Sequence, residues 1–520
     1  MHEIVTLQFG QQANYVGTHY WNTQESYFTY QEESPVDHDI SFRAGIGVDG
    51  GDTFAPRALI YDLKGAFGTL RRENALYSLQ QSENPAQNGP WSDHAIPLRL
   101  PPIEPSAYQQ ALDQGTSPPP LSTQTVRFWS DYNHLFYHPR SIVQLNEYEL
   151  NSSLMPFERW QSGEDLFASL DREHDLLDRD LRPWLEECDQ LQALQIMTGV
   201  DNAWGGFAAR YLERISDELG KGCRWVFGMA SGPSSSRERQ RLSMVNTAQS
   251  VLSFDSSASV HVPLSSTPPM MPTSVSLDTL SPWHTSAVAA LGMESITLPT
   301  RLVAADNRKV TFNQLETTLN DNGCRSLAAL GFWLETPTEH NGPPKVNGHS
   351  DSRVNNGLEH REGSADEAGA NFELFPEMVR RESSAGRSQP VRSTKTFTKL
   401  ESLRGDHWKS TTETGSVDQA SDDRSHYGIR TSSHFTQLLF PLLSSYPRIF
   451  KSNGHPTEVA VKTQLRTSTA VSRNTRALES AVRGLVSIDE REMLSDGLIK
   501  ISEDYDDGWG DDDDGEYDDD

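Results

Sequence analysis

The 520-residue sequence predicts an α/β protein built around a doubly wound parallel sheet. Three observations favour this fold class: an N-terminal strand that leads through a glycine into a helix, a second apolar strand near residue 60, and strand and helix patterns that alternate thereafter. Such alternation is typical of a parallel sheet with helices on both faces. The predicted order is β-α-β-α, an insertion, and then α-β-α-β.

The first strand and helix are indicated by the apolar residues between positions 4 and 21. Gly10 turns the chain between the two elements. A strand that passes through such a turn into a helix presents free backbone N–H groups to a phosphate. Four apolar residues indicate the strand and four at helical spacing indicate the helix: Ile4, Val5, Leu7 and Phe9, then Ala13, Val16, Tyr20 and Trp21.

The next elements follow from local composition. Residues 56–63 read as the second strand, and residues 82–122 are rich in Pro, Gln, Ser and Gly, which predicts a surface insertion or linker. An apolar stripe over residues 166–188 predicts a long helix, which Pro183 should kink. A helix over residues 205–219 and a strand over residues 224–229 complete the predicted domain, which spans residues 1–260.

The second half is less regular and predicts a truncated α+β region over residues 261–500. Residues 310–332 resemble a helix that returns into the core, and order returns near residues 435–450 before a last helix near 473–495. Ser, Gly, Asn, Glu and Arg dominate residues 335–430, which predicts a long disordered insertion. This insertion contains a basic patch: Arg380, Arg381, Arg387, Arg392, Lys395, Lys399 and Arg404.

Charge and cysteine content exclude several functional classes. The net charge of −28 disfavours nucleic acid as a partner. Residues 501–520 are predicted to be an acidic disordered tail, which functions as a solvated end or docks basic partners, including the basic patch of this chain. Three cysteines without a CxxC pair predict neither disulfides nor a zinc site. No apolar run is long enough to span a bilayer, and the N-terminus lacks a secretory or transit pattern.

Several segments resemble tubulins. The N-terminal matches are Glu3, Ile4, Val5, Gln8, Gly10, Gln11, Asn14 and Gly17, and the match covers the first 75 residues and residues 160–260. Weaker matches lie in residues 310–332, which resemble the tubulin helix that carries a guanine-stacking side, and in residues 435–450. The resemblance implies a tubulin/FtsZ-like fold with a GTP site. The site residues carried over by this resemblance are Gly10, Gln11, Gln12, Asp62, Gly199 and Gly205.

The stretch that matches the tubulin phosphate loop GGGTGSG departs from it in chemistry. Val200, Ala203 and Trp204 add bulk where backbone N–H groups must approach phosphate, and Asp201 adds a negative charge. Lys64 stands where the magnesium side expects an acidic residue. The second half also lacks the GxxNxD-like element by which a neighbouring subunit triggers hydrolysis. We therefore expect a vestigial site without GTP hydrolysis, catalytic residues, metal or an obligatory cofactor, while weak GTP binding stays open.

Each candidate residue also has a structural interpretation. Gly10, with the two glutamines after it, either contacts a nucleotide or preserves an inherited turn. Asp201 is either a remodelled ligand contact or a loop carboxylate or helix N-cap. The cluster over residues 204–207 is either a binding face or core packing. His134 and His138 are spaced i, i+4, but no further metal ligand accompanies them.

The combined features resemble the misato family in its fungal, DML branch. They are the N-terminal segment over residues 1–22, residues 137–141, the region from Leu185 to Phe207 and a Trp-Gly-Asp acidic ending. This resemblance implies a non-polymerising, tubulin-related protein involved in mitochondrial distribution and partitioning and in inheritance of mitochondrial DNA.

The leading hypothesis is a catalytically inactive adaptor that acts at the cytosolic side of mitochondria and in the cytoplasm. Its partners are expected to be proteins, cytoskeletal or on the mitochondrial outer surface. Two alternatives stay open: an active tubulin-like GTPase that assembles, and a cytosolic cofactor of tubulin or cytoskeleton assembly. The direct partner and the oligomeric state do not follow from the sequence.

Overall fold

A six-stranded, entirely parallel sheet forms the centre of the first half of the chain, which confirms the predicted fold class. The computed structural model describes residues 2–29, 34–47, 50–70, 103–220, 222–232, 236–303, 309–320, 323–335, 369–377, 394–408, 429–451 and 456–506. The strands of this half are β1 (Glu3–Phe9), β2 (Phe42–Ile46), β3 (Asp52–Pro56), β4 (Ala58–Lys64), β5 (Ile142–Glu149), β6 (Leu191–Gly199), β7 (Arg224–Ala230) and β8 (Val260–Ser265). The sheet order is β5-β4-β1-β6-β7-β8, and β2 and β3 form a separate hairpin.

Helices cover both faces of the sheet because side chains of each strand alternate between them. In β1, Ile4 joins the core that contains α1 and α7, whereas Val5, Leu7 and Phe9 join the core that contains α3 and α5. The helices of this half are α1 (Gly10–Ser26), α2 (Ala107–Asp113), α3 (Trp160–His174), α4 (Arg182–Glu186), α5 (Ala203–Leu219), α6 (Arg237–Ser257) and α7 (Pro282–Thr297).

A second, five-stranded sheet packs on the far side of α7. Its order is β10-β9-β15-β11-β12, and only the β11–β12 pair is parallel. The remaining elements are α8 (Phe312–Leu319), β9 (Ala329–Glu335), β10 (Gly369–Glu373), β11 (Thr396–Arg404), β12 (Arg430–Thr436), β13 (Phe440–Pro441), β14 (Glu458–Val459), β15 (Val461–Ser468), α9 (Thr469–Val482) and α10 (Ile488–Asp504). All residues of α7 from Thr285 to Thr297 are buried, because both sheets contribute to its surroundings.

The structure corrects four predicted boundaries in the second half. Residues 310–332 form not one helix but α8 followed by a turn and β9. Strands β10 and β11 lie inside the range 335–430, so the prediction of disorder is wrong for these two segments. The last helix is interrupted between Val482 and Ile488. The final boundary concerns the acidic tail: residues 501–506 are ordered, and Tyr505 is fully buried against the backbone of Leu327.

The predicted kink at Pro183 lies elsewhere. Helix α3 ends at His174, and Asp175 adopts a left-handed conformation with φ of 46°. Pro183 lies near the start of α4, directly after a π-helical stretch over Leu177–Leu181 that continues into this helix. The chain therefore changes direction eight residues before the proline. Helix α2 lies within the predicted insertion over residues 82–122, whose residues 82–102 lie outside the described part.

A buried ionic network joins α1, α7 and the second sheet. The Glu294 carboxylate pairs with the guanidinium groups of Arg301 and Arg404, and all three side chains have no solvent exposure. Gln24 donates to Glu294 at 3.0 Å, and the Tyr27 hydroxyl donates to the same carboxylate at 3.1 Å. Arg404 also donates to the carbonyl oxygens of residues 438 and 439. Arg404 was assigned to the basic surface patch, and its complete burial corrects that assignment.

Glu294→Gln is expected to lower the free energy of unfolding by about 3–5 kcal/mol, because it leaves two buried guanidinium groups without their counter-charge. The same change at Glu173, whose side chain is 70% exposed, should alter stability by less than about 0.5 kcal/mol. Urea unfolding followed by tryptophan fluorescence measures both. Equal stability of the two variants would contradict a structural role for the network.

Candidate functional site

The topology places the candidate site at the carboxyl ends of β1 and β6. Strands β4 and β5 lie on one side of β1 in the sheet, and strands β6, β7 and β8 lie on its other side. Ligands of doubly wound sheets bind in the crevice where this order reverses. A cleft of about 400 Å³ lies there, and a smaller one of about 170 Å³ adjoins it at Gln12.

The turn at Gly10 is covered by the indole of Trp204. Gly10 has a φ of 83°, and a Cβ atom placed on it would lie 2.3 Å from the indole nitrogen. The Trp204 side chain is only 6% exposed, and its ring lies 5.2 Å from that of Phe157 and 5.6 Å from that of Phe207. The cluster over residues 204–207 is therefore core packing at this point. The indole therefore packs directly beside the Cα atom of Gly10, at the turn that was predicted to contact phosphate.

Gly205 serves helix packing. A Cβ atom on Gly205 would lie 2.3 Å from the Ser250 hydroxyl oxygen on α6. A Cβ atom on Gly206 would lie 2.0 Å from the carbonyl oxygen of Trp160 on α3. Both glycines allow neighbouring helices to approach the backbone of α5. Gly199 lies at the end of β6 and lines the cleft.

Gln11 and Asp62 bind each other. The Gln11 amide donates to the Asp62 carboxylate at 2.6 Å and to the Ala66 carbonyl at 3.0 Å, so both of its side-chain hydrogens have partners. Asn14 donates to the same carboxylate at 2.6 Å, and the Leu63 backbone N–H donates at 2.9 Å. Asp62 is fully buried, and burial raises its pKa to about 7 against the opposing effect of these donors. This carboxylate faces protein donors and not the cleft.

Asp201 joins the loop after β6 to the loop after β7. Its carboxylate accepts hydrogen bonds from the Ser231 backbone N–H at 2.7 Å, the Ser231 hydroxyl at 3.2 Å and the Ser243 hydroxyl at 3.4 Å. Burial raises the pKa of Asp201. Asp201 is a loop carboxylate and not the N-cap, since Asn202 caps α5 by accepting from the Trp204 N–H at 2.9 Å. Gln12 reinforces the same connection by donating to the Ser231 hydroxyl at 2.6 Å.

The electrostatics of the larger cleft disfavour a polyphosphate. Glu149 and Glu158 line it, and its described lining contains no lysine or arginine. Arg239 lies 3.5 Å from Glu158 and neutralises part of that charge. Within the described ranges, no group of three His, Cys, Asp or Glu side chains is arranged to hold a metal ion. Among the described residues that line this cleft, the negative charge of the two glutamates has no cationic side chain opposite it that could pair with a phosphate.

The two histidines singled out by their spacing make separate contacts. The His134 ring shares a 2.7 Å hydrogen bond with the Tyr108 hydroxyl, and His138 accepts from the Arg140 backbone N–H at 3.1 Å. Burial lowers the pKa of both rings to about 4. The contacts are those of neutral histidines that stabilise local structure.

Helix α7 is the element that the sequence reading missed. Within residues 310–332, α8 packs against β11 and β12, and the Phe312 backbone N–H donates to the Gln192 side chain at the start of β6. Pro282, Thr285 and Ser286 of α7 line the smaller cleft. Ser281 followed by Pro282 and a long apolar run is a helix-start pattern that identifies this helix.

The buried Asp62 should make stability depend on pH. Because its pKa is about 7 in the folded protein and near 3.8 when exposed, the folded state binds the extra proton between these values. Stability therefore decreases as the pH rises from about 4 to 7 and is constant above that range. In Asp62→Asn this contribution disappears, whereas Asp113→Asn, at an exposed position, keeps the wild-type profile. Urea unfolding at pH 5, 6, 7 and 8 measures the difference; parallel wild-type and Asp62→Asn profiles would contradict it.

Comparison with known proteins identifies the family. A model described as the Misato Segment II tubulin-like domain matches residues 2–114, and one described as a tubulin domain matches residues 118–302. The chain is 44% identical to Protein DML1 of Phaeosphaeria nodorum over 98% of both chains. It is also 44% identical to Protein dml-1 of Neurospora crassa, over 99% of this chain and 100% of that protein, and 43% identical to Protein dml1 of Aspergillus clavatus over 98% of both. The chain therefore belongs to the misato family, in the fungal branch whose members are named DML1.

Proposed function

We propose that this protein is a non-polymerising, tubulin-like adaptor that works without nucleotide turnover. The observation that carries the proposal is the position of the Trp204 indole over Gly10. The indole occupies the place beside the Gly10 Cα at the turn where the resemblance to tubulins puts phosphate. The side-chain donors of Gln11 and Gln12 are bonded to Asp62, Ala66 and Ser231, which adds support.

The cellular role proposed is mitochondrial distribution and partitioning and the inheritance of mitochondrial DNA. Its support is the membership of the misato family. In the part of the chain that the structure covers, no helix is long and apolar enough to cross a bilayer. We propose that the protein acts from the cytosolic side, through protein contacts with the mitochondrial outer surface or the cytoskeleton.

Purified wild-type protein should give no saturable heat with GTP or GDP, with or without magnesium, up to about 1 mM, the affinity that corresponds to about 4 kcal/mol. Trp204→Gly is expected to open the turn at Gly10, and Asp201→Gly to remove the nearby carboxylate. Isothermal titration calorimetry compares the heat of GTP and GDP binding to these variants with that of wild type. Micromolar binding by wild type would overturn the nucleotide-free proposal and favour a GTPase.

Cells depleted of this protein should lose mitochondrial DNA and show clustered mitochondria, and wild-type protein should restore both. Gln12→Ala, which changes a residue lining both clefts, should restore them equally well because no nucleotide is used. Microscopy and quantification of mitochondrial DNA measure the outcome. Normal mitochondria together with defective microtubules would instead favour a cofactor of tubulin assembly.

A further inference from the structure

A further groove, separate from the two clefts at the ends of β1 and β6, lies among four helices. Helices α3, α5, α6 and the N-terminal half of α10 line it, and its volume is about 510 Å³. The lining residues of α5 extend from Ala209 to Asp217, and those of α6 from Gln249 to Ser257. Eight residues of helix correspond to about 12 Å. This α5–α10 groove is therefore about as long as two turns of a docked helix.

Helix α10 packs against α6 through apolar side chains of one core, which includes Val251, Leu494 and Leu498. A Cβ atom on Gly497 would lie 2.3 Å from a methyl carbon of Leu252, so the two helices touch there. Toward its N-terminus α10 presents uncovered apolar side chains: Ile488 is 79% exposed and Met493 is 67% exposed. Small side chains on the opposite wall, including Ser216 and Ser253, keep the space between the helices open.

The charge of the α5–α10 groove is negative. Four acidic residues and one arginine line it: Glu164, Glu213, Asp217, Glu490 and Arg210. Arg210 pairs with Glu164 and Glu213. Asp217 and Glu490 form no ion pair with any other described residue, and both are exposed. Two unpaired carboxylates thus border a cleft with apolar side chains at its α10 wall.

We propose that the α5–α10 groove docks a basic amphipathic helix of a partner protein. Apolar side chains at i, i+3 and i+4 of such a helix would contact Met493 and Leu252, as in other helix-in-groove complexes. Lysine or arginine side chains beside them would pair with Asp217 and Glu490. Charge complementarity selects this occupant, because an acidic helix or an anionic membrane surface would be repelled.

The test uses the full chain and a fluorescent 18-residue peptide of leucine and lysine with its leucines on one helical face. Fluorescence anisotropy in about 0.15 M salt should show saturable 1:1 binding. The double variant Asp217→Lys/Glu490→Lys should bind at least about tenfold more weakly, about 1.4 kcal/mol. The matched control Asp113→Lys/Glu147→Lys makes the same change in net charge at exposed positions outside the groove, and should bind like wild type.

Three further measurements keep the proposal falsifiable. A scrambled peptide of identical composition should bind at least about tenfold more weakly, since it lacks an apolar face. Met493→Ser should weaken binding without changing net charge. Hydrogen exchange should slow at α10 and α5 when the peptide binds. Equal weakening by the two double variants, or equal binding of the scrambled peptide, would show attraction by net charge alone and overturn the proposal.

Discussion

The fold depends on a single buried glutamate. Glu294 lies in the last turn of α7, the helix that separates the two sheets, and two arginine side chains pair with it. Arg301 follows within the same segment and also contacts the hydroxyl of Tyr20 at 2.8 Å, which connects α1. Arg404 ends β11 and connects the second sheet. A buried charge of this kind tolerates few alternatives, since removing any partner leaves another without compensation.

Buried polar groups must be paired, and the same requirement accounts for the contacts around the cleft at the carboxyl ends of β1 and β6. Parallel strands still end around a crevice, as the doubly wound topology demands. The side chains at its edge, however, bond to one another. Asp62 holds Gln11 and Asn14, and Asp201 holds Ser231. At this cleft, the Asp62 and Asp201 carboxylates therefore accept hydrogen bonds from the protein itself.

The sequence predicts four strands of the first sheet, whose signals are local, but misses the two edge strands β5 and β8. Alternation in β1 and the glycine turn before α1 depend on neighbouring residues alone. The second sheet was partly missed, since β10 and β11 are flanked by low-complexity sequence and gain their order from pairing with β9 and β15. Arg404 illustrates the difficulty, because nothing in its neighbourhood in sequence indicates a buried glutamate 110 residues earlier.

At the candidate site, the sequence indicates which residues are unusual but not which contacts they make. The bulk of Trp204 and the charge of Asp201 were visible as departures from a glycine loop. That the indole lies on Gly10, or that Asp201 binds the loop after β7, depends on distances between strands that a single sequence does not contain. The glycines were the most ambiguous, because close helix packing and phosphate binding require the same absence of a side chain.

The long separation between Glu294 and Arg404 has a consequence for synthesis. Chains elongate at about 5–20 residues per second, so the helix carrying Glu294 leaves the ribosome several seconds before its second arginine is made. During that interval the face of α7 that will meet the second sheet has no native cover. A nascent chain of this protein therefore presents an apolar helix with an incompletely neutralised acidic residue, and its first half reaches its final packing only when translation is well advanced.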